Sequence, residues 1–201
     1  DLIAEAKGPD ARVRVAALRA LGWIAQPADL DTLTPLAVKS ADDPSRAAAE
    51  LAIVQVARKI SKPEARGDTV LAALKTASDT PAKCSLLRVL GKLGGKNAFA
   101  AVAPGLKDAS VDVQDAAVNA LASWPSARAL DPLLDVVKNS DNAKQRVLSL
   151  RGCVRILGLN DCTVERTLAT YRQLIKAAKS PADTKLILAG LGAVADPAAL
   201  E

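Results

Sequence analysis

The chain has 201 residues, half of them hydrophobic but only 2% aromatic, no histidine and a formal net charge of +5. A chain of this length buries roughly 70% of its unfolded surface, and here the core must be Ala, Leu and Val, which suit close helix packing better than sheets. The missing histidine removes the commonest general base and metal ligand, and no apolar run approaches the ~18 residues of a membrane span.

Cys84, Cys153 and Cys162 form no CxxC pair and carry no zinc signature. Cys84 and Cys153 fall inside predicted helices as small core residues. Cys162 lies in a loop beyond Cys153, at a spacing that permits a bridge between them without requiring one. The chain begins at Asp1 and contains no methionine, so it reads as a piece of a longer polypeptide.

Taken in chain order, the predicted elements are variations on one unit. A truncated first hairpin holds VAALRALGWIA (15–25), and five full ones follow with LAIVQVARKI (51–60), CSLLRVLGKLG (84–94), AAVNALASWP (116–125), LSLRGCVRILG (148–158) and LILAGLGAVAD (186–196). Aligned, these put Gly22, Ala57, Gly91, Ala122, Val154 and Gly192 in one column, at steps of 35, 34, 31, 32 and 38 residues. Such a period belongs to two-helix repeats. The small residue predicts close approach of neighbouring helices, with Val154 as the exception.

Each unit carries its own punctuation. The second, or B, helices follow DDPS (42–45), DTPA (79–82), DASVD (108–112), NSDN (139–142) and SPAD (180–183). Their Asp, Ser or Thr side chains can cap free N–H groups, and Pro44, Pro81 and Pro181 sit where a first turn tolerates proline. The first, or A, helices are short, with Pro35 and Pro104 in or near them, except for the longer segment at 164–180. The expected repeats are 1–26, 27–62, 63–95, 96–125, 126–160 and 161–201, forming a single domain.

This pattern resembles the HEAT repeat, over nearly all of the chain from Pro9 to Leu200. The resemblance implies an all-α, right-handed α-solenoid (an armadillo-like α-α superhelix) of about five to six helical hairpins. Within it, LLRVLGKLGGKNA, DVQDAAVNALASWPSARALDPLL and VLSLRGCVRILGL resemble HEAT domains of large, often exported multidomain proteins of planctomycete-like bacteria. There such repeats accompany sugar-active, dehydrogenase or cytochrome domains. The resemblance implies an accessory or interaction role and a periplasmic or exported location.

No residue pattern points to catalysis, a metal or a cofactor. Asp42–Asp43 and Asp29–Asp31 lie in turns and read as helix caps. Gly94–Gly95 follows a helix and lacks phosphate-loop spacing, so it reads as a left-handed helix cap. Ser and Cys have no histidine to activate them. HEAT hydroxylases carry His–Glu iron ligands, which this sequence cannot supply.

The basic residues are more informative. With Val15, Leu18, Leu21, Gly22 and Ala25 as the buried stripe of its B helix, positions 12, 16, 19 and 23 point outward. The outward columns contain Arg19, Trp23, Arg58, Arg88, Lys92, Arg151 and Arg155. In HEAT-like solenoids B helices line the concave surface, so these residues form the candidate partner-binding ridge. The competing reading is that the cations merely complement helix dipoles. Arg14, Lys83 and Arg146 occupy another column, which HEAT proteins use to reach an Asp in the neighbouring turn. Trp124 shares a column with Ile24, Leu93, Ile156 and Val194 and is expected in the core. Trp23 is either an exposed contact residue or one covered by a preceding repeat. Leu2 and Ile3 beside it, and Leu191, Val194 and Leu200 at the far end, are surfaces that a further repeat would cover.

Three functions follow from these features. The first is a non-catalytic protein–protein interaction scaffold, whose partner can be another domain of the same polypeptide. The second is binding of nucleic acid or another polyanion on the basic ridge; a catalytic glycosylase is disfavoured by the scarcity of aromatic residues. The third is a spacer without any ligand.

Overall fold

The computed structural model describes residues 1–40, 42–159 and 161–194. Leu200, the C-terminal limit of the repeat pattern, lies outside them. Twelve α-helices and no strands are present among the described residues: α1 (Leu2–Glu5), α2 (Ala11–Ile24), α3 (Leu30–Val38), α4 (Asp43–Ala57), α5 (Asp68–Thr76), α6 (Thr80–Leu93), α7 (Lys96–Val102), α8 (Val111–Ala122), α9 (Leu130–Asn139), α10 (Ala143–Leu157), α11 (Val164–Ala177) and α12 (Pro181–Leu191). They pair as A–B hairpins, giving an α-solenoid fold. The chain divides into two compact units, Asp1–Ala120 and Leu121–Glu201.

The punctuation acts as the residue types dictate. Side-chain oxygens of Asp10, Asp42, Asp79, Asn142 and Ser180 accept from backbone N–H groups in the first turns of α2, α4, α6, α10 and α12. These caps satisfy N–H groups that have no partner within a helix. Pro44, Pro81 and Pro181 each sit at the first or second helical position. Pro35 is accommodated inside the short α3. Pro104 instead marks where α7 tightens into a 3₁₀ segment, Ala103–Lys107.

In the first unit, α2, α4 and α6 pack side by side as B helices, with α3 and α5 as A helices against them. Leu18, Leu33, Ile53, Leu86 and Leu90 are fully buried there. The small-residue column explains how closely the B helices meet. A Cβ added to Gly22 would lie 3.1 Å from the Ala52 Cα, and one added to Gly91 only 2.6 Å from both Cα and Cβ of Ala120.

In the second unit the close-approach position moves two residues earlier. Gly152, not Val154, meets the Ala122 Cα, with 2.7 Å left for a Cβ. Gly190, not the exposed Gly192, faces Val154 Cγ1 and the Tyr171 hydroxyl, each 2.6 Å from where its Cβ would be. The aligned column is therefore corrected for these two helices. Val154 is tolerated because Gly190 leaves room for it.

Two other expectations are revised. Gly94 does cap α6, donating its N–H to the Leu90 carbonyl, but its backbone (φ 72°, ψ −159°) and that of Gly95 (φ 95°, ψ 159°) lie in the mirror image of the extended region rather than the left-handed helical one. Essentially only glycine adopts that conformation. Trp124 and Ile156 are buried as expected, and Leu93 and Val194 half-buried, but Ile24 is 61% exposed. It is the last residue of α2, which packs chiefly on α1 and α4 and leaves its opposite side to solvent.

These two kinds of glycine should respond differently to alanine. Gly91→Ala must push α6 away from α8 and is expected to lower the unfolding free energy by about 2 kcal/mol. Gly95→Ala has open space around its new Cβ yet should still cost about 1–3 kcal/mol through backbone strain alone. Urea titration measures both; an unchanged midpoint for either would refute the corresponding reason for glycine.

Candidate interaction surface on the B helices

The charge pattern of the B helices is set by what they lack. The segments forming α2, α6 and α10 contain no Asp or Glu at all. In α4, Asp43 at the first turn pairs with Arg46 (2.9 Å), and Glu50 is buried. Acids instead cluster where B helices begin, as caps. The first turns of these helices also carry Arg12, Arg14, Arg46, Lys83, Lys144 and Arg146, and α8 carries Asp115 past its first turn, so complementarity to helix dipoles alone does not order the charges.

Several basic side chains at the far end perform a specific task. Lys59 Nζ donates to the carbonyls of Trp23 and Ala25, both at 2.7 Å, at the end of α2. Arg58 Nη2 donates to the Lys92 carbonyl at 3.3 Å, at the end of α6. In the second unit, Arg155 Nε reaches the Ala122 carbonyl at 2.8 Å and its Nη2 reaches that of Trp124. The last carbonyls of a helix have no partner within it; here a neighbouring repeat supplies one. This cross-repeat capping was not legible from spacing alone, because Lys59 is one residue outside the column that contains Arg58.

Arg88 has a different role. Its Nη2 lies 2.6 Å from Glu50 Oε1, and its Nε 3.1 Å from both Glu50 oxygens. Ser85 Oγ donates to the same carboxylate at 2.8 Å. Glu50 is only 4% exposed, and the hydrogen bond to it raises the pKa of Arg88 further. A buried carboxylate needs such partners, so Arg88 is fixed to the α4–α6 contact. Sequence reasoning missed Glu50, which sits beside Leu51 in an Ala-rich helix with no motif around it.

The remaining ridge residues are exposed. Among the described residues, no hydrogen bond or ion pair holds the side chains of Arg19, Lys92 or Arg151, and Trp23 is 75% exposed. Arg19, Trp23, Arg58, Arg88 and Lys92 belong to the first unit, Arg151 and Arg155 to the second.

The Arg14 column makes one inter-repeat rung. Arg14 Nη2 lies 2.6 Å from Asp42 Oδ2, its Nε donates to Ser45 Oγ at 3.1 Å, and its Nη1 donates to the Gly8 and Pro9 carbonyls. Lys83 and Arg146 make no such bond among the described residues. The Ser45 backbone N–H and the Arg14 guanidinium hold Asp42 well below the ordinary carboxylate value, at about 2.

Other candidate chemistry is weak. All three cysteines are free thiols; Cys153 is fully buried, and burial pushes its pKa up to about 12. Among the described residues no group of three or more Cys, Asp or Glu is arranged to hold a metal, and no helix is long and apolar enough to cross a membrane. Two hollows in the first unit, of about 420 and 470 Å³, lie beside α3 and share Pro35 and Lys39. Neither contains a cysteine.

Residues 67–151 match the family model of HEAT repeats. The chain is also similar to an archaeal HEAT-like repeats protein from Thermococcus onnurineus NA1, with 17% identity over 94% of this chain and 84% of that one and a TM-score of 0.46. It is similar to an engineered protein as well, with 16% identity over 99% of this chain and 90% of the other and a TM-score of 0.44. No curated protein matches it.

The sign of the Asp42 effect is fixed by its lowered pKa. Because the folded value lies below the ordinary 3.8, its stabilisation is present above pH ~4 and is lost as pH falls toward 2. Melting temperatures of wild type and Asp42→Asn from pH 6 to 2 should therefore differ most at pH 6 and converge in acid. Parallel curves would refute the role of the ionised cap.

Proposed function

We propose that this chain is a non-catalytic interaction module that engages a protein partner through the exposed face of its B helices. Solenoids distribute their stability over contacts between neighbouring repeats, which leaves surface side chains free to specialise. The observation that carries the reading is the division among the B-helix cations. Arg88 and Arg155 are bound to the fold, whereas Arg19 and Lys92 in the first unit and Arg151 in the second have no intramolecular partner among the described residues, and Arg19 lies one helical turn from the exposed Trp23. The resemblance to HEAT domains of large exported proteins supports a partner elsewhere in the same polypeptide.

The test is a photocrosslinking amino acid placed at positions 23, 92 and 151, with positions 75 and 165 on A helices as controls, in extracts of the source organism. Discrete protein adducts from the B-helix positions alone are expected. Equal labelling from both sets, or none from 23, 92 and 151, would overturn the reading.

The free cations also favour a second reading, polyanion binding. Duplex and single-stranded DNA titrated across a salt series, with Lys92→Glu/Arg151→Glu as the control variant, separates the two. Phosphate-driven binding weakens steeply with salt and would disappear in the variant; a packed protein interface shows no such collapse. Arg88 is unsuitable for that control because its loss would strand Glu50.

A further inference from the structure

The first unit carries enough detail to specify its partner's chemistry. We infer that the α2–α4–α6 face binds an extended acidic peptide segment with one bulky apolar anchor, an inference that rests on the interaction reading above.

Three observations converge. The first is an exposed apolar strip formed by Trp23 (75% exposed) on α2 and Leu51 (43%) on α4. Tryptophan is the residue most often found at the energetic centre of protein contacts. The second is unbalanced charge. Arg12 and Arg19 flank the strip on α2, Lys92 stands on α6, and Arg58, just past the end of α4, keeps its charge while donating to the Lys92 carbonyl; all four are exposed. The two carboxylates of α4 are already taken: Glu50 is buried and paired with Arg88, and Asp43 is paired with Arg46. A partner that covers the strip without offering carboxylates would leave these cations facing apolar groups.

The third observation is spacing. Trp23, Arg58 and Lys92 follow one another across adjacent helices, linked by the Lys59 bond to the Trp23 carbonyl and the Arg58 bond to the Lys92 carbonyl. Packed helices lie about 10 Å apart, the length of roughly three residues of extended chain. A peptide crossing α2, α4 and α6 would therefore place an apolar side chain at Trp23 and acidic side chains about three and six residues further on.

A nucleic acid fits this face less well. Stacking platforms for single strands use several aromatic side chains, and Trp23 is the only Trp, Tyr or Phe exposed among the described residues. A phosphodiester backbone would also leave Leu51 in water.

The test uses a fluorescein-labelled nonapeptide with Leu at position 2 and Glu at positions 5 and 8 on a Gly/Ser background. Its controls are the same peptide with Lys for Glu, one with Gly for Leu, and a twelve-residue oligothymidine. Binding is read by anisotropy and by the indole resonance of Trp23, which is distinct from the buried Trp124. The acidic peptide alone should move that resonance, and Trp23→Ala and Arg19→Glu/Lys92→Glu should each weaken binding at least tenfold. Both variants change exposed side chains, and circular dichroism verifies their folding.

Oligothymidine binding as tight as the peptide, equal binding of the Lys or Gly peptides, or undiminished binding to the variants would each overturn the inference. So would concentration-dependent self-association that buries Trp23. If photocrosslinks form at positions 23 and 92 but no peptide binds, the interaction reading stands and this one falls. If neither occurs, both fall.

Discussion

Consecutive B helices in this chain meet at backbone distance, and much of the remaining chemistry depends on that closeness. Gly91 against Ala120 and Gly152 against Ala122 leave no room for a methyl group between the helices. Helices packed so tightly bring their C-terminal carbonyls within reach of basic side chains on the next repeat. Lys59, Arg58 and Arg155 reach such carbonyls because the neighbouring helix end is near. The same closeness places Glu50 of α4 under Arg88 and Ser85 of α6, where water cannot solvate it.

Electrostatics then follows from helix ends rather than from a general excess of base. Carboxylates gather at the starts of B helices, where Asp10, Asp42 and Asp79 accept from free N–H groups. At the other end, where carbonyls are free, stand Lys92 and Arg155, with Arg58 and Lys59 just beyond α4. Dipole complementarity thus accounts for part of the basic ridge, and cross-repeat capping and the Glu50 pair account for more. What neither explains is Arg19 and Lys92 in the first unit and Arg151 in the second, exposed and without intramolecular partners among the described residues, and the indole of Trp23 one turn from Arg19.

The architecture was legible because it is repeated. One column of small residues and one cap motif, seen several times, predict hairpins more firmly than any single segment could. The column failed at Val154 and Gly192 because alignment on sequence cannot register a two-residue shift when Gly152 and Gly190 offer equally small side chains. Gly94–Gly95 was recognisable as a glycine-requiring junction, but which positive-φ region it occupies depends on how α7 leaves α6. Ile24 was misplaced since periodicity reports which side of a helix is apolar, not whether a neighbour covers it. The candidate surface was legible only as a set of outward positions. Whether an outward arginine is tied to a carbonyl, to a carboxylate or to nothing depends on contacts about 35 residues apart, the length of one repeat. Arg88 and Arg19 share a column, yet only Arg88 has a Glu50 beneath it.

The central claim is that B-helix cations divide into residues that hold the fold and residues that the fold does not use. Urea unfolding of Arg88→Ala, Arg155→Ala, Arg19→Ala and Arg151→Ala tests it most directly. Arg88→Ala leaves a buried carboxylate unpaired and should cost roughly 3 kcal/mol, the low end for such a break because Arg88 itself remains partly exposed. Arg155→Ala should cost about 1 kcal/mol for its lost carbonyl contacts. Arg19→Ala and Arg151→Ala should stay within about 0.5 kcal/mol of wild type. Four equal losses, or a larger loss at Arg19 or Arg151 than at Arg88, would contradict the division and return the whole ridge to a structural role.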